Sequence, residues 1–159
     1  MSAILEIGNL MLFYENALAI NNVNMAVNEG LIVGIFGTNS AGKSSLMLCV
    51  SGIILDVAKK EKMKGGERIT LTGEIKFKTE DILRVEPSER AKKGIILCPE
   101  RRLIFPESST LENLRMGAYL ATKDQTKKTL EYVFNLFPEL ETLKRRAGGF
   151  LSGGEQQML

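Results

Sequence analysis

The segment GTNSAGKSS, residues 37–45, indicates the fold class, because it satisfies the phosphate-loop pattern G-x-x-x-x-G-K-[ST]. A polyphosphate needs several backbone N–H donors converging on one concavity, and backbone comes that close only where side chains are absent. We expect Gly37 and Gly42 to allow that approach, Lys43 to reach the β- and γ-phosphates, and the Ser44 hydroxyl to bind Mg²⁺. The segment therefore predicts a nucleotide-binding site.

The flanking segments have the order that such a site needs. Residues 31–36, LIVGIF, form a short apolar run typical of a strand that is buried on both faces. Residues 45–50 predict a helix, and Gly52 is placed to end it. The helix N-terminus, near Lys43, adds unpaired N–H groups and a positive dipole end. Strand, glycine loop and helix together predict an α/β unit of the P-loop type.

The composition is that of an ordinary soluble domain. The chain has 159 residues, 44% hydrophobic and 25% charged, and its formal charge of +2 argues against a nucleic-acid or anionic membrane partner. We expect no signal peptide, and residues 46–55, the longest apolar stretch, are too short to span a bilayer. These features predict a cytoplasmic protein. Cys49 and Cys98 lack metal-ligand spacing, and we expect both to be buried in a reducing compartment.

The first half of the chain predicts β-structure around the loop. Residues 4–7 and 10–13 predict two short strands or one bulged strand, and Val23, Met25 and Val27 alternate as in a half-buried strand. An antiparallel β layer therefore precedes the α/β unit. Three later strands are also predicted, of which the first two are expected to pair: 69–71, 74–77 and 95–98.

The remaining segments predict loops and helices. Residues 56–68, DVAKKEKMKGGER, predict a solvated, mobile loop rather than a nucleic-acid surface, because they hold no aromatic stacking residue and glutamates interrupt the positive charge. Residues 87–93 predict a short helix with Ser88 as a candidate cap. A capping box at residues 109–112 opens another helix, and Asp124 is expected to cap the next.

A second glycine segment, LSGGEQQ at residues 151–157, carries a further hypothesis. Ser152 and two glycines precede a helix that begins with Glu155, so backbone N–H groups and a hydroxyl can face an anion. Taken alone, this pattern favours a simple helix N-cap. Beside a phosphate loop, the match favours a second part of the nucleotide site.

With both motifs, the chain resembles the ATP-binding cassette (ABC) family, because GTNSAGKSS is similar to its Walker A motif and LSGGEQQ to its signature. Tyr14 lies where that family stacks an aromatic ring on adenine, and Glu100 lies at the Q-loop, where the family usually has a glutamine that contacts Mg²⁺. The resemblance implies that Ser44 and Glu100 bind the metal and that Glu100 is catalytic. It implies that ATP is bound by a larger set: Tyr14, Gly37, Thr38, Asn39, Ser40, Ala41, Gly42, Lys43, Ser44, Ser45, Ser152, Gly153, Gly154 and Glu155.

More narrowly, three short segments before the signature resemble the ATPase subunits of branched-chain amino acid importers: residues 99–102, 136–140 and 145–148. The implied fold is an α/β, P-loop NTPase, ABC-type nucleotide-binding domain with an antiparallel β layer, a partial parallel RecA-like core and a helical subdomain. Its expected parts are residues 1–98, with the β layer and Walker A, and residues 99–159, with the Q-loop, helical subdomain and signature. Ser40 departs from the usual Walker A glycine, and the insertion at residues 56–68 is longer than expected.

The resemblance also implies a function. The parent protein would couple ATP binding and hydrolysis to transport of branched-chain or other hydrophobic amino acids, with a second ATPase subunit, identical or different, and membrane permease subunits as partners. It would lie at the inner face of the plasma membrane. The alternatives are a soluble ABC ATPase of translation or DNA repair and a non-hydrolysing nucleotide-binding fragment. The family's Walker B and switch histidine follow the signature, and this sequence has no histidine. We therefore expect a C-terminally truncated, single incomplete domain that is inactive as an ATPase.

Overall fold

The computed structural model describes residues 2–100 and 103–159, and the chain forms two compact units, Met1–Leu97 and Cys98–Leu159. The first unit contains strands β1 (Ala3–Tyr14), β2 (Ala17–Asn28), β3 (Ile69–Phe77) and β4 (Glu80–Asp81) and helices α1 (Lys43–Ser51), α2 (Ile53–Lys64) and α3 (Pro87–Lys92). The second contains α4 (Thr110–Gly117), α5 (Lys123–Leu136), α6 (Pro138–Thr142), a 3₁₀ turn (Gly148–Phe150) and α7 (Gly153–Met158).

The four strands form one antiparallel sheet in the order β2-β1-β3-β4. A two-residue turn at Glu15 and Asn16 joins β1 to β2, so that Tyr14 pairs with Ala17. The register between β1 and β2 shifts between Ile7 and Leu10, which makes β1 one bulged strand. The predicted antiparallel β layer is confirmed.

The predicted pairing of residues 69–71 with 74–77 is wrong, because both segments belong to the single strand β3, which pairs with β1. Gly73, between them, has a φ of 105°, and a Cβ placed on it would lie 2.5 Å from the carbonyl oxygen of Asn9. The glycine accommodates the close approach of the β1 bulge, which has its own register shift opposite β3 between Gly8 and Met11. The chain therefore runs straight through Thr72 and Gly73 instead of turning.

The core of the first unit lies between the sheet and the helices. Its buried cluster combines side chains of the three long strands with Leu46 and Cys49 of α1, Ile54 of α2, and two residues that follow β4. Burial of such side chains is the main stabilising term of a small domain. The cluster members are Ile7, Leu10, Leu12, Ile20, Leu46, Cys49, Ile54, Leu71, Ile75, Ile82 and Leu83.

The loop predicted for residues 56–68 is wrong over most of its length, because α2 continues to Lys64. The helix is anchored at its start by Ile54, which is fully buried. Lys62 and Lys64 lie in its last turn, where cations complement the helix dipole, and Gly65 ends it in the left-handed conformation (φ 66°). One buried residue is enough to fix the start of a helix whose later turns are lysine-rich and exposed to solvent. Composition alone does not distinguish such turns from a loop.

The two predicted parallel strands, residues 31–36 and 95–98, are irregular chain, so this part of the expectation is wrong. Ile32 and Phe36 are 101% and 94% exposed, and Ile96 is 80% exposed. A parallel strand needs neighbours for its main-chain groups, and among the described residues neither segment has a strand partner. Cys98 is consequently exposed, contrary to prediction, whereas Cys49 is buried as predicted.

The helix N-termini follow local hydrogen-bonding rules. The capping box of Ser109 and Glu112 opens α4 as predicted. The cap of α5 is Thr122, which forms a capping box with Gln125, so the assignment of Asp124 was wrong by two positions. Ser88 is not the cap of α3, since Glu86 holds that position and a proline follows it. None of the described helices combines the length and the apolar composition of a membrane-spanning segment.

Candidate nucleotide-binding site

The site begins where the loop of residues 37–42 enters α1. Gly42 precedes the helix with φ 87° and ψ 4°, in the left-handed region that favours glycine. A Cβ at this position would lie 2.5 Å from the carbonyl oxygen of Ala19 in β2, so only glycine lets the loop approach β2 this closely. The Ala19 contact was missed by sequence reasoning, because a main-chain carbonyl leaves no signal in the residue type. Ser40 also has a positive φ, 65°, at the position where the family usually has glycine.

Lys43 closes the loop on itself. Its Nζ donates hydrogen bonds to the carbonyl oxygens of Gly37, at 2.8 Å, and Thr38, at 2.7 Å. The N–H of Ala41 donates to the same Thr38 oxygen at 3.3 Å and tightens the turn. These contacts bring residues 37–43 around one ammonium group. A positive charge held within a curved glycine loop is a favourable environment for a phosphate.

The N-terminus of α1 is electrostatically open. Among the described residues, no side chain caps it, and its first turn contains no acidic residue. The first N–H groups of a helix lack intrahelical partners and carry the positive end of the dipole. Ser44 and Ser45 lie in this first turn, and Ser44 is exposed. The arrangement is therefore suited to an anion.

The other predicted phosphate-loop residues, Thr38, Asn39, Ser40 and Ala41, are all exposed and follow Gly37 without interruption. Tyr14 is the last residue of β1 and is partly buried; it pairs with Ala17 on one side and Ile69 on the other. Glu100 belongs to the second unit and is exposed in irregular chain. Roles for these residues stay predictions.

The signature residues form the N-terminus of α7. Ser152 is its N-cap: its Oγ accepts from the N–H of Glu155 at 3.3 Å, and its own N–H donates to Glu155 Oε2 at 2.5 Å. The Ser152 backbone N–H, and after it the Ser152 side chain, form hydrogen bonds to the Glu155 carboxyl and hold its pKa below the usual range. The local structure is thus the helix N-cap that the pattern alone favours, with Gly153 and Gly154 exposed beside it. A role in binding ATP stays a prediction for all four residues.

Of the two predicted magnesium ligands, Ser44 suits a metal that is bound mainly through its substrate, and a metal role for Glu100 stays a prediction. Among the described residues, no group of three or more His, Cys, Asp or Glu side chains could hold a metal ion. Mg²⁺ at nucleotides keeps several waters and phosphate oxygens and takes few protein ligands. The exposed hydroxyl of Ser44, in the first turn of α1, is a suitable single ligand.

A left-handed glycine, an uncapped helix N-terminus and a lysine that closes the loop define the first unit as a P-loop nucleotide-binding unit. The sequence matches the family described as "ABC transporter" over residues 20–159. The chain belongs to this family. Its fold is that of an ABC ATPase domain.

Individual relatives agree with this assignment. The chain is 31% identical to the high-affinity branched-chain amino acid transport ATP-binding protein BraG of Pseudomonas aeruginosa, over 92% of this chain and 57% of that protein. It is 29% identical to the probable branched-chain amino acid transport ATP-binding protein LivF of Archaeoglobus fulgidus, over 92% and 56%. It is also 29% identical to the phosphate import ATP-binding protein PstB of Tropheryma whipplei, over 100% and 61%.

A solved structure has the same fold. It is the ADP conformation of an ATP-binding cassette of an ABC transporter, which superimposes with a TM-score of 0.71 at 24% identity and covers 99% of this chain and 62% of that one. The chain therefore spans less than two thirds of the length of these relatives.

Proposed function

We propose that this chain is the ATP-binding region of an ABC transporter ATPase subunit, with the phosphates of ATP bound at residues 37–45. The observation that carries the proposal is the pair of hydrogen bonds from Lys43 Nζ to the Gly37 and Thr38 carbonyls. They hold an ammonium inside the loop, directly before an uncapped helix N-terminus. Both features attract negative charge.

The residues of the loop have separate roles in the proposal. Lys43 exchanges its two carbonyl partners for the β- and γ-phosphate oxygens, which are stronger acceptors because they are charged. The N–H groups of Ser44 and Ser45 donate to phosphate, and the Ser44 hydroxyl binds Mg²⁺. Magnesium supplies charge neutralisation between the β- and γ-phosphates when it is bound. Tyr14 stacks on the adenine ring.

The signature segment acts on a second nucleotide in this proposal. Ser152, Gly153 and Gly154 of one subunit face the phosphate loop of another, so that ATP binding brings two subunits together. The exposure of the two glycines supports this assignment, because their backbone is accessible to a partner. The second subunit is either identical or a related ATPase chain.

The transported solute is proposed to be a branched-chain or other hydrophobic amino acid. The names of BraG and LivF support this class, and the name of PstB supports phosphate instead. In either case the subunit works at the cytoplasmic face of the membrane through permease subunits, with the Glu100 loop as the hinge that passes on its motion. Co-purification with hydrophobic permease subunits would distinguish a transporter subunit from a soluble ABC ATPase. Transport assays of the assembled complex would then distinguish an amino acid from phosphate as the solute.

Hydrolysis needs more than nucleotide binding. The attacking water must be oriented, and Mg²⁺ must be held from two sides. Lys43 and Ser44 serve the second requirement only. Glu100 is the proposed further ligand of Mg²⁺, so its catalytic part is to hold the metal and not to orient the attacking water. We therefore expect the 159-residue chain to bind MgATP and to release phosphate at the uncatalysed rate. Phosphate release that Lys43→Ala abolishes would contradict this expectation.

Titration calorimetry with MgATP tests the binding proposal directly. Lys43→Ala removes the ammonium from the loop and should weaken MgATP binding by about tenfold or more, since each charge-assisted contact contributes roughly 1.5–3 kcal/mol. Lys60→Ala is the matched control, because Lys60 is an exposed lysine of α2 outside the loop. Equal affinities for both variants and the unchanged chain would overturn the proposal.

A further inference from the structure

Arg90 of α3 is a buried cation. Its side chain is 0% exposed, and desolvation lowers the pKa of its guanidinium from the usual value. Buried charges need compensating hydrogen bonds, and here, among the described residues, the acceptors are main-chain carbonyl oxygens. Nε donates to Val85 at 2.8 Å, Nη1 to Cys49 at 2.7 Å and Val50 at 2.9 Å, and Nη2 to Leu83 at 3.0 Å.

Two of these acceptors belong to α1, the helix whose N-terminus forms the candidate site. Cys49 and Val50 lie in its last turn, where the i→i−4 pattern leaves carbonyl groups without partners, and the Cys49 oxygen also accepts from the N–H of Gly52 at 3.2 Å. A cation at this end also complements the negative end of the helix dipole. The other two acceptors lie between β4 and α3. Arg90 thus joins the end of α1 to the segment that connects the sheet with α3.

Gly52 makes room for this contact. It ends α1 with φ 82°, and a Cβ placed on it would lie 2.7 Å from Arg90 Nε and 3.0 Å from its Cζ. Those distances are shorter than van der Waals contact, so a larger residue would displace the guanidinium. The C-terminus of α1 and the arginine therefore fit each other closely.

The opposite end of α1 follows Gly42, which lies so close to the Ala19 carbonyl that a Cβ there would be 2.5 Å from its oxygen. Between the two ends, Leu46 and Cys49 are buried in the core. The helix has nine residues, so its length is about 13 Å. A short helix that is packed into the core and hydrogen-bonded to Arg90 at its C-terminus has a fixed direction. Without the Arg90 hydrogen bonds, it can tilt about its buried side chains.

We propose that Arg90 is a positioning residue for the nucleotide site. By holding the C-terminus of α1, it sets the direction in which the N–H groups at the other end meet the phosphates. It touches neither nucleotide nor metal and acts through the helix alone. This inference rests on the proposed function of residues 37–45 as the phosphate site.

The first test compares Arg90→Met with Arg84→Met. Arg84 is an exposed arginine of the same connecting segment that donates to the Leu71 carbonyl at 2.7 Å, so its variant loses the same charge without touching α1. MgATP affinity is measured by calorimetry at a temperature where circular dichroism shows both variants folded. We expect Arg90→Met to weaken MgATP binding by about tenfold or more and Arg84→Met by less than about twofold, because small misplacements of positioning groups have large effects.

The second test leaves Arg90 in the sequence and shifts the position of its guanidinium. This test remains informative if Arg90→Met does not fold. Gly52→Ala introduces the Cβ that meets Arg90 Nε. Gly65→Ala is the matched control, since Gly65 also ends a helix with positive φ (66°) but has nothing within 4 Å of its Cβ position. Both variants share the backbone strain, and only Gly52→Ala moves the guanidinium. We expect weaker MgATP binding, by about fivefold or more, only for Gly52→Ala.

The outcomes separate a positioning role from a structural one. If Arg90 serves stability alone, the variants melt at lower temperature while the folded protein binds MgATP as before, and the inference is overturned. Equal MgATP affinities for Gly52→Ala and Gly65→Ala would overturn it as well. If the unchanged chain binds MgATP no better than Lys43→Ala, the proposed function itself has failed, which is a different result.

Discussion

The ammonium of Lys43 lies 2.8 Å from the carbonyl oxygen of Gly37, six residues earlier in the chain. Lys43, which we propose to bind phosphate, therefore also closes the loop around the proposed phosphate site. Its position is set by the start of α1, so the loop and the helix are built as one feature. A substitution that moves α1 should therefore also move Lys43 and the loop of residues 37–42.

Gly42→Ala should destabilise the first unit more than Gly94→Ala. Both glycines have positive φ, 87° and 94°, so both variants incur similar backbone strain. Only at Gly42 does the new Cβ meet the Ala19 oxygen, whereas at Gly94 nothing lies within 4 Å. We expect the difference in free energy of unfolding to be about 1–3 kcal/mol, measured by urea denaturation. Equal values would show that the loop moves away from β2 without cost.

Thiol labelling should distinguish the two cysteines. Burial raises the pKa of the Cys49 thiol to about 12, and Cys98 is exposed. Because the thiolate is the reactive species, iodoacetamide at pH 8 should modify Cys98 alone in the folded chain. Both should react in urea. Mass spectrometry of tryptic peptides provides the measurement, and rapid native labelling of Cys49 would contradict its buried position.

Ser109→Ala should destabilise α4. The variant loses a cap that accepts from the N–H of Glu112 at 3.2 Å and supports the reciprocal bond from the Ser109 N–H. Removal of such a cap lowers the free energy of unfolding by about 1 kcal/mol. Ser108→Ala is the control, since the main-chain contacts of Ser108 survive the substitution. Chemical denaturation that gave both variants the same midpoint would contradict the prediction.

The same cap predicts a pH dependence. Hydrogen bonds from the Ser109 side chain and backbone lower the pKa of Glu112. A carboxyl group with a lowered pKa in the folded state stabilises the fold above its unfolded value, roughly pH 4.3, and that stabilisation is lost as the pH falls through the folded value. Thermal denaturation between about pH 6 and 3 should therefore be less pH-dependent for Glu112→Gln than for Glu131→Gln, an exposed control on α5. Parallel profiles for both variants would contradict the assignment.

The exposed segment at residues 31–36 should promote self-association. Ile32 and Phe36 present apolar side chains to solvent beside main-chain groups that are not in a sheet. Phe36→Lys should shift the chain towards monomer in sedimentation experiments at increasing concentration. Met63→Lys is the control, because Met63 is 86% exposed, close to the 94% of Phe36, but lies in α2, where the backbone is already hydrogen-bonded. An equal effect of both variants would assign the association to general hydrophobicity.

Features that depend on neighbouring residues can be read from residue types and their spacing. The phosphate loop, the start of α1 at Lys43 and the capping box of Ser109 and Glu112 all arise from contacts within about six positions. Glycines that permit left-handed backbone and side chains that cap a helix are visible in residue types and spacing. The phosphate loop together with the segment LSGGEQQ predicts the family from residue types and spacing alone.

Features that depend on a partner far along the chain are set by the folded structure. The apolar runs at residues 31–36 and 95–98 have the composition of buried strands, yet a strand forms only where another strand satisfies its main-chain groups. The burial of Arg90 depends on carbonyl groups about forty positions away, in α1. Residue type reports what a side chain can do, but its partners across the fold decide what it does, because a hydrogen bond or a buried contact needs both members in place.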